Sequence, residues 1–243
     1  MPALIVSQQV QYGTISIPYR LEHRKRRTLG IEVHPDGEVV VLAPTHAALE
    51  VVQGQVLKRA AWILRQQREF ASYPPPQPER RFVPGETHRY LGRQYRLSVV
   101  PGTPEAVKLA RGHLNVTTPD PARVSRLLER WLRTRAETIF TERIAVCLER
   151  VSGFGIEHSG DFKLKSMTKR WGSCTAGGTV YLNPLLVRAP KECIDYVIVH
   201  ELVHTVHHHH RREFYALLSR CIPDWRVVRH RLNAMVELPH STA

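Results

Sequence analysis

A chain of 243 residues with 42% hydrophobic and 23% charged residues can bury one substantial core, and that composition excludes a disordered or membrane-embedded protein. Its formal charge of +13 favours a polyanionic partner such as DNA, but the basic residues are scattered over several stretches and suit a solvated surface equally well. Apolar stretches such as Val39–Pro44 are too short to cross a bilayer, and Met1–Gln11 lacks the features of a signal peptide. A cytoplasmic protein with no membrane partner is therefore expected. Cys147, Cys174, Cys193 and Cys221 are widely spaced with no CxxC pair, which fits reduced thiols better than a disulfide scaffold or zinc ribbon.

In chain order, Thr14–Ile17 and Leu29–Val33 alternate as strands, and Asp36-Gly37 predicts a hairpin into Val39–Leu42. Ala47–Phe70 reads as a helix with Val51, Val52, Val56, Ala60 and Ile63 on its buried side. The run Tyr73-Pro74-Pro75-Pro76-Gln77-Pro78 cannot continue that helix and is the best linker candidate, giving segments 1–78 and 79–243, or one continuous domain over 12–238. A hairpin is expected at Tyr90-Leu91-Gly92 and Tyr95–Val99, a strand at Leu114–Thr117 and a long helix over Ala122–Val151. Strands followed by a tryptophan-bearing helix (Trp62, Trp131) thus occur twice, the pattern of a weak internal repeat. Further on come a strand at Thr179–Leu182, a helix from about Lys191, and a separate helix beyond Phe214 broken near Pro223.

The chemistry lies in His200-Glu201-Leu202-Val203-His204. On a helix these two histidines share a face one turn apart, so both can reach one zinc ion, while Glu201 is placed to act on a zinc-bound water without being a ligand. Ile198, Val199, Leu202, Val203 and Val206 would form the opposite, core-facing side. Zinc needs a third protein ligand, and His207, His208, His209 and His210 all offer one. On an unbroken helix His207 would lie about 10 Å above His200, too far to share an ion. The ligand must follow a chain reversal, which favours His210. Arg170, His208 and Tyr215 are candidates for contacting the substrate or polarising the scissile carbonyl.

Arg170-Trp171-Gly172-Ser173-Cys174, Tyr181-Leu182-Asn183, and Ile194–Val199 leading into His200, with His210 and Phe214 behind, resemble the YgjP-like metallopeptidases, relatives of SprT-like and other zincin-type proteases. The N-terminal hairpin and helix with Trp62-Ile63 and the Leu91-Gly92 hairpin also look like that family. The resemblance implies an α+β fold in which N-terminal β-hairpins and helices lead into a zincin-like metallopeptidase core with an HExxH helix. It also implies one Zn2+ per chain, His210 as third ligand and a peptide or protein substrate. The sequence has His209, Arg211 and Tyr215 where the family has Asn, Ser and Trp. For Trp171–Cys174 two readings stand: packing at a tight turn, or an element whose following strand borders the cleft and pairs with an extended peptide. Three functions are compatible with these features: a zinc metallopeptidase, a DNA-associated protease acting on nucleic-acid-bound proteins, or a non-catalytic zinc-containing binding module.

Overall fold

The computed structural model describes residues 5–73 and 80–235, so most of the proposed proline linker lies outside the described residues. The chain divides into two compact units, Met1–Pro75 and Pro76–Ala243.

The first unit holds β1 (Ile5–Tyr12), β2 (Ile15–Arg24), β3 (Gly30–Val33), β4 (Val39–Pro44) and α1 (Leu49–Ala71). Its sheet runs in the order β1-β2-β4-β3, antiparallel except for the parallel β2/β4 pair. The Asp36-Gly37 turn joins β3 to β4, with Gly37 at φ 85°, a left-handed conformation that glycine adopts without a Cβ penalty. On α1 the apolar residues Val52, Val56, Ala60 and Ile63 recur every three or four positions, and this stripe is fully buried against the sheet. Val51, expected on that side, is 59% exposed because it falls one residue off the stripe.

In the second unit β5 (Thr87–Tyr90), β6 (Arg93–Val100), β7 (Ala106–Ala110), β8 (His113–Thr117) and α2 (Val124–Val151) follow the same plan. The sheet order is β5-β6-β8-β7, again with the single parallel pair between its second and fourth strands. Four strands in one order and one pairing sense, each set closed by a long helix, turn the weak repeat of the sequence into a repeat of topology.

The rest of the second unit comprises β9 (Phe162–Leu164), β10 (Gly172–Cys174), β11 (Val180–Leu182), α3 (Lys191–Val203), α4 (Arg212–Cys221) and α5 (Trp225–Met235). β11 lies in the middle of a small sheet, antiparallel to β10 and parallel to β9. Leu128, Leu132, Ala136, Phe140, Ile144, Cys147 and Val151 give α2 one continuous buried stripe, against which α3 packs. α3 itself is buried nearly all round from Cys193 to Val203, with His200 its most open position in that stretch. The expected two-sided helix is therefore a central one, and its periodicity is erased by burial on every side. Across the α2/α3 contact, Arg143 donates from Nε and Nη2 to the two carboxylate oxygens of Asp195, both at 2.7 Å. Among the described residues no helix is long and apolar enough to cross a membrane.

Candidate metal centre and its cleft

α3 delivers His200 and Glu201 on its last turn and stops at Val203, with His204 as its C-cap. The next residues tighten: the backbone N–H groups of His204, Thr205 and Val206 each donate to the carbonyl three residues back. Val206 consequently leaves the helix and is 43% exposed, so it is no part of the core-facing side predicted for it. The chain then reverses through His207–Arg211 and returns as α4.

That reversal brings His210 back to the first two histidines. His210 Nε2 lies 2.9 Å from His200 Nε2 and 3.1 Å from His204 Nε2, and the three donor atoms all fall within 4.8 Å of one another. Phe214, fully buried on the first turn of α4, forms the platform beneath them, with its ring centroid 4.6–4.9 Å from each imidazole.

Proton bookkeeping decides what such a cluster can hold. His204 Nδ1 is 3.0 Å from the His207 carbonyl, which can only accept, so the proton sits on Nδ1 and Nε2 presents a bare lone pair. Burial, reinforced by the charges of His210, His204 and Arg229, drives the His200 pKa down to about 3. Burial also lowers His204 and His210. Three neutral imidazoles have too few protons on their inner nitrogens to satisfy every contact, and crowded lone pairs repel. A divalent cation removes that conflict: tetrahedral bonds of about 2.0–2.1 Å separate nitrogen donors by about 3.3 Å, close to the spacings here. The residues present therefore fit a zinc ion.

Glu201 does not face the cluster as a fourth ligand but lies under β10. It is 5% exposed, and burial pushes its pKa up to about 8 against the pull of the Arg170 guanidinium and a hydrogen bond from the Cys174 backbone N–H. The fit requires glycine at 172: an added Cβ there would stand 2.7 Å from Glu201 Cγ and Oε1. At the two ends of the β10/β11 ladder the Asn183 N–H donates to the Trp171 carbonyl and the Thr175 N–H to the Thr179 carbonyl, so the alternation turns the backbone groups of Gly172 and Cys174 outward. Of the two sequence readings for Trp171–Cys174, packing at a tight turn or a strand bordering the cleft, the second put that strand after Cys174. The strand there, β11, is paired on both sides and has no free edge; the edge is β10 itself.

The cleft over these residues encloses about 650 Å³ and is lined by His200, Glu201, His204 and His210 together with Arg170, His208, β10, Tyr196 and Val197. Of the predicted substrate contacts, Arg170 and His208 line it. Tyr215 does not: it sits behind His210, ring centroids 6.1 Å apart, and stacks on Trp225 at 5.3 Å. Two positions that the sequence did not single out as site residues join instead. Tyr196, one turn before His200, lines the cleft, and its ring lies nearly parallel to that of Trp225 at 6.5 Å. Asn183, fully buried, donates from Nδ2 to the carbonyls of Met167 (2.7 Å) and Arg170 (3.2 Å) and so fixes the loop entering β10. Cys174 lines the cleft with its thiol pKa raised by burial and by the charge of Glu201, which keeps it protonated.

Convergent imidazoles beside a buried carboxylate, on a mixed α+β scaffold, define a candidate metallohydrolase. The family model for the YgjP-like, metallopeptidase domain matches residues 27–235, and the chain belongs to that family. The matched span draws on both units. No curated protein matches the chain. Family membership points to a hydrolase of the metallopeptidase class and to a metal, usually zinc.

Proposed function

We propose that this chain is a zinc-dependent peptidase, with His200, His204 and His210 holding the ion and Glu201 serving as general base. The observation that carries the reading is the meeting of three proton-poor imidazole nitrogens next to a buried carboxylate that is not one of them. A zinc ion at that position supplies a Lewis acid that polarises a carbonyl and acidifies water. The Glu201 carboxylate takes the proton of the attacking water and passes it to the leaving amine. The Cys174 N–H holds that carboxylate in place, which leaves the Gly172 backbone groups and the Cys174 carbonyl on the outward edge of β10 for an extended peptide to pair with.

The reading is tested by elemental analysis and peptide cleavage on the same preparation. About one zinc per chain is expected, with cleavage lost on chelation and restored by zinc, and with stoichiometric zinc abolished in His204→Ala. A full equivalent of zinc in His204→Ala would overturn the ligand assignment.

A further inference from the structure

A second groove lies in the first unit, between β3 and α1. It encloses about 310 Å³ and is lined by Leu29, Ile31, Gln55, Arg59 and Trp62. The three helix residues are spaced four and three apart and form one stripe, about 10 Å long, the length of roughly three residues of extended chain. α1 is pinned along β3 by Gln67 Nε2, which donates to the Gly37 carbonyl at 2.8 Å.

β3 is an edge strand. The hairpin closes with the His34 N–H on the Glu38 carbonyl at 2.8 Å, so the alternation of the ladder assigns Glu32 and Gly30 to β4 and turns the backbone N–H and C=O of Ile31 and Val33 away from the sheet. Such groups are a template for another strand. Among the described residues neither Gln55 nor Arg59 has a hydrogen-bond or ion-pair partner, and no carboxylate lines the groove. On the opposite face of the same strand the Arg26 guanidinium lies over Gly30, 2.9 Å from where a Cβ would stand. Successive side chains of an added strand alternate between the two faces, so one peptide can reach both arginines.

We propose that the β3/α1 groove captures an extended, acidic peptide segment of another protein by adding it as a fifth strand, with carboxylates meeting Arg59 and Arg26 and an apolar side chain resting on Ile31 and Trp62. Backbone pairing selects a polypeptide over a nucleic acid, and the unpaired cations select acidic over basic sequence. This surface acts independently of the metal centre.

The test uses the full chain with a chelator present, so that the metal site plays no part. Fluorescein-labelled peptides of alternating Val and Glu, the same peptides with Lys for Glu, and an oligothymidylate are titrated and followed by anisotropy. The acidic peptide should bind at least tenfold more tightly than the basic one. Arg59→Glu, a surface change that leaves the fold intact, should reverse that preference. Ile31→Pro, which removes an outward N–H together with the Ile31 side chain that lines the groove, should abolish binding, with circular dichroism to show that the sheet persists and Ile31→Val, which keeps the N–H, binding as the wild type does. Equal binding by both peptides, unchanged binding in both variants, no binding to either peptide, oligothymidylate binding that Arg59→Glu removes, or a dimer of the chain that Ile31→Pro dissolves would each overturn the proposal.

Discussion

Gly172→Ala isolates the contact on which the geometry of Glu201 depends. The new Cβ would stand 2.7 Å from Glu201 Cγ and Oε1 and 2.9 Å from Cδ, where carbon contacts settle at about 3.5–4.0 Å. One partner must give way by about 1 Å. Glu201 is 5% exposed and has little room to retreat, and β10 is tied to β11 on its far side. Overpacking of this kind costs roughly 1–3 kcal/mol, or a fall in Tm of several degrees in a chain of this size. The larger effect is on catalysis: misplacing a catalytic group by about 1 Å costs on the order of 10²-fold, about 2.7 kcal/mol at the transition state. The histidine nitrogens do not touch Gly172, so zinc content should stay at one equivalent. Gly177→Ala is the control, since the nearest atom to its added Cβ is 4.0 Å away. The assay is kcat/KM on any peptide the wild type cuts, alongside zinc analysis and thermal melting. If zinc-loaded Gly172→Ala cleaves at the wild-type rate, the close approach of β10 does not position the base.

Removing His210 by Ala substitution should release zinc, whereas His209→Ala should retain it, as read by elemental analysis; the reverse pattern would move the third ligand. Arg143→Ala leaves the Asp195 carboxylate buried, with only Arg150 at 3.7 Å, and should cost roughly 3–5 kcal/mol in denaturant unfolding, while a loss below about 1 kcal/mol would show that the pair contributes little. His88, 1% exposed, has its pKa lowered from 6.5 to about 4 by burial first and by Arg80 next. The unfolded chain takes up that proton near pH 6.5 and the folded chain only near pH 4, so this stability is complete above pH 6.5 and is lost as pH falls to 4, roughly 3 kcal/mol in all. His88→Gln should flatten the pH dependence of stability across that window, and an unchanged slope would refute the assignment.

Local chemistry was legible in the sequence where the turn residues or the flanking strands were conventional. The hairpins at Asp36-Gly37 and Leu91-Gly92 were legible, but the Arg111-Gly112 turn joining β7 to β8 was not, although Arg111 and Gly112 take up φ values of 50° and 77°. Neither Leu91 nor Arg111 carries the Asn or Asp signature of such a turn; the aromatic and β-branched residues of Tyr95–Val99 marked the Leu91-Gly92 hairpin, and Ala106–Ala110 has too few of them to mark β7. β10 was missed as a strand because three residues carry no periodicity, and its role rests on a contact between Gly172 and Glu201 that no spacing rule reaches. The chain reversal that brings His210 to His200 was inferable, since a third donor cannot approach from the same helix. Its cause, the helix ending at Val203, was not. Tyr215 was placed one residue from the buried platform Phe214, and on a helix that step of about 100° separates the cleft from the flank behind it. Tyr196 escaped notice because an aromatic residue one turn from a histidine reads as core in a helix buried all round.

Glu201→Gln tests the central claim most directly, because the amide nearly matches the carboxylate in shape but cannot accept the proton. Zinc per chain and the rate of peptide cleavage should be measured on the same sample. Zinc should remain at one equivalent while cleavage falls by about 10²–10⁴-fold, the usual worth of general acid–base catalysis. Zinc-loaded Glu201→Gln that cleaves as fast as the wild type would contradict the account and place the catalytic groups elsewhere.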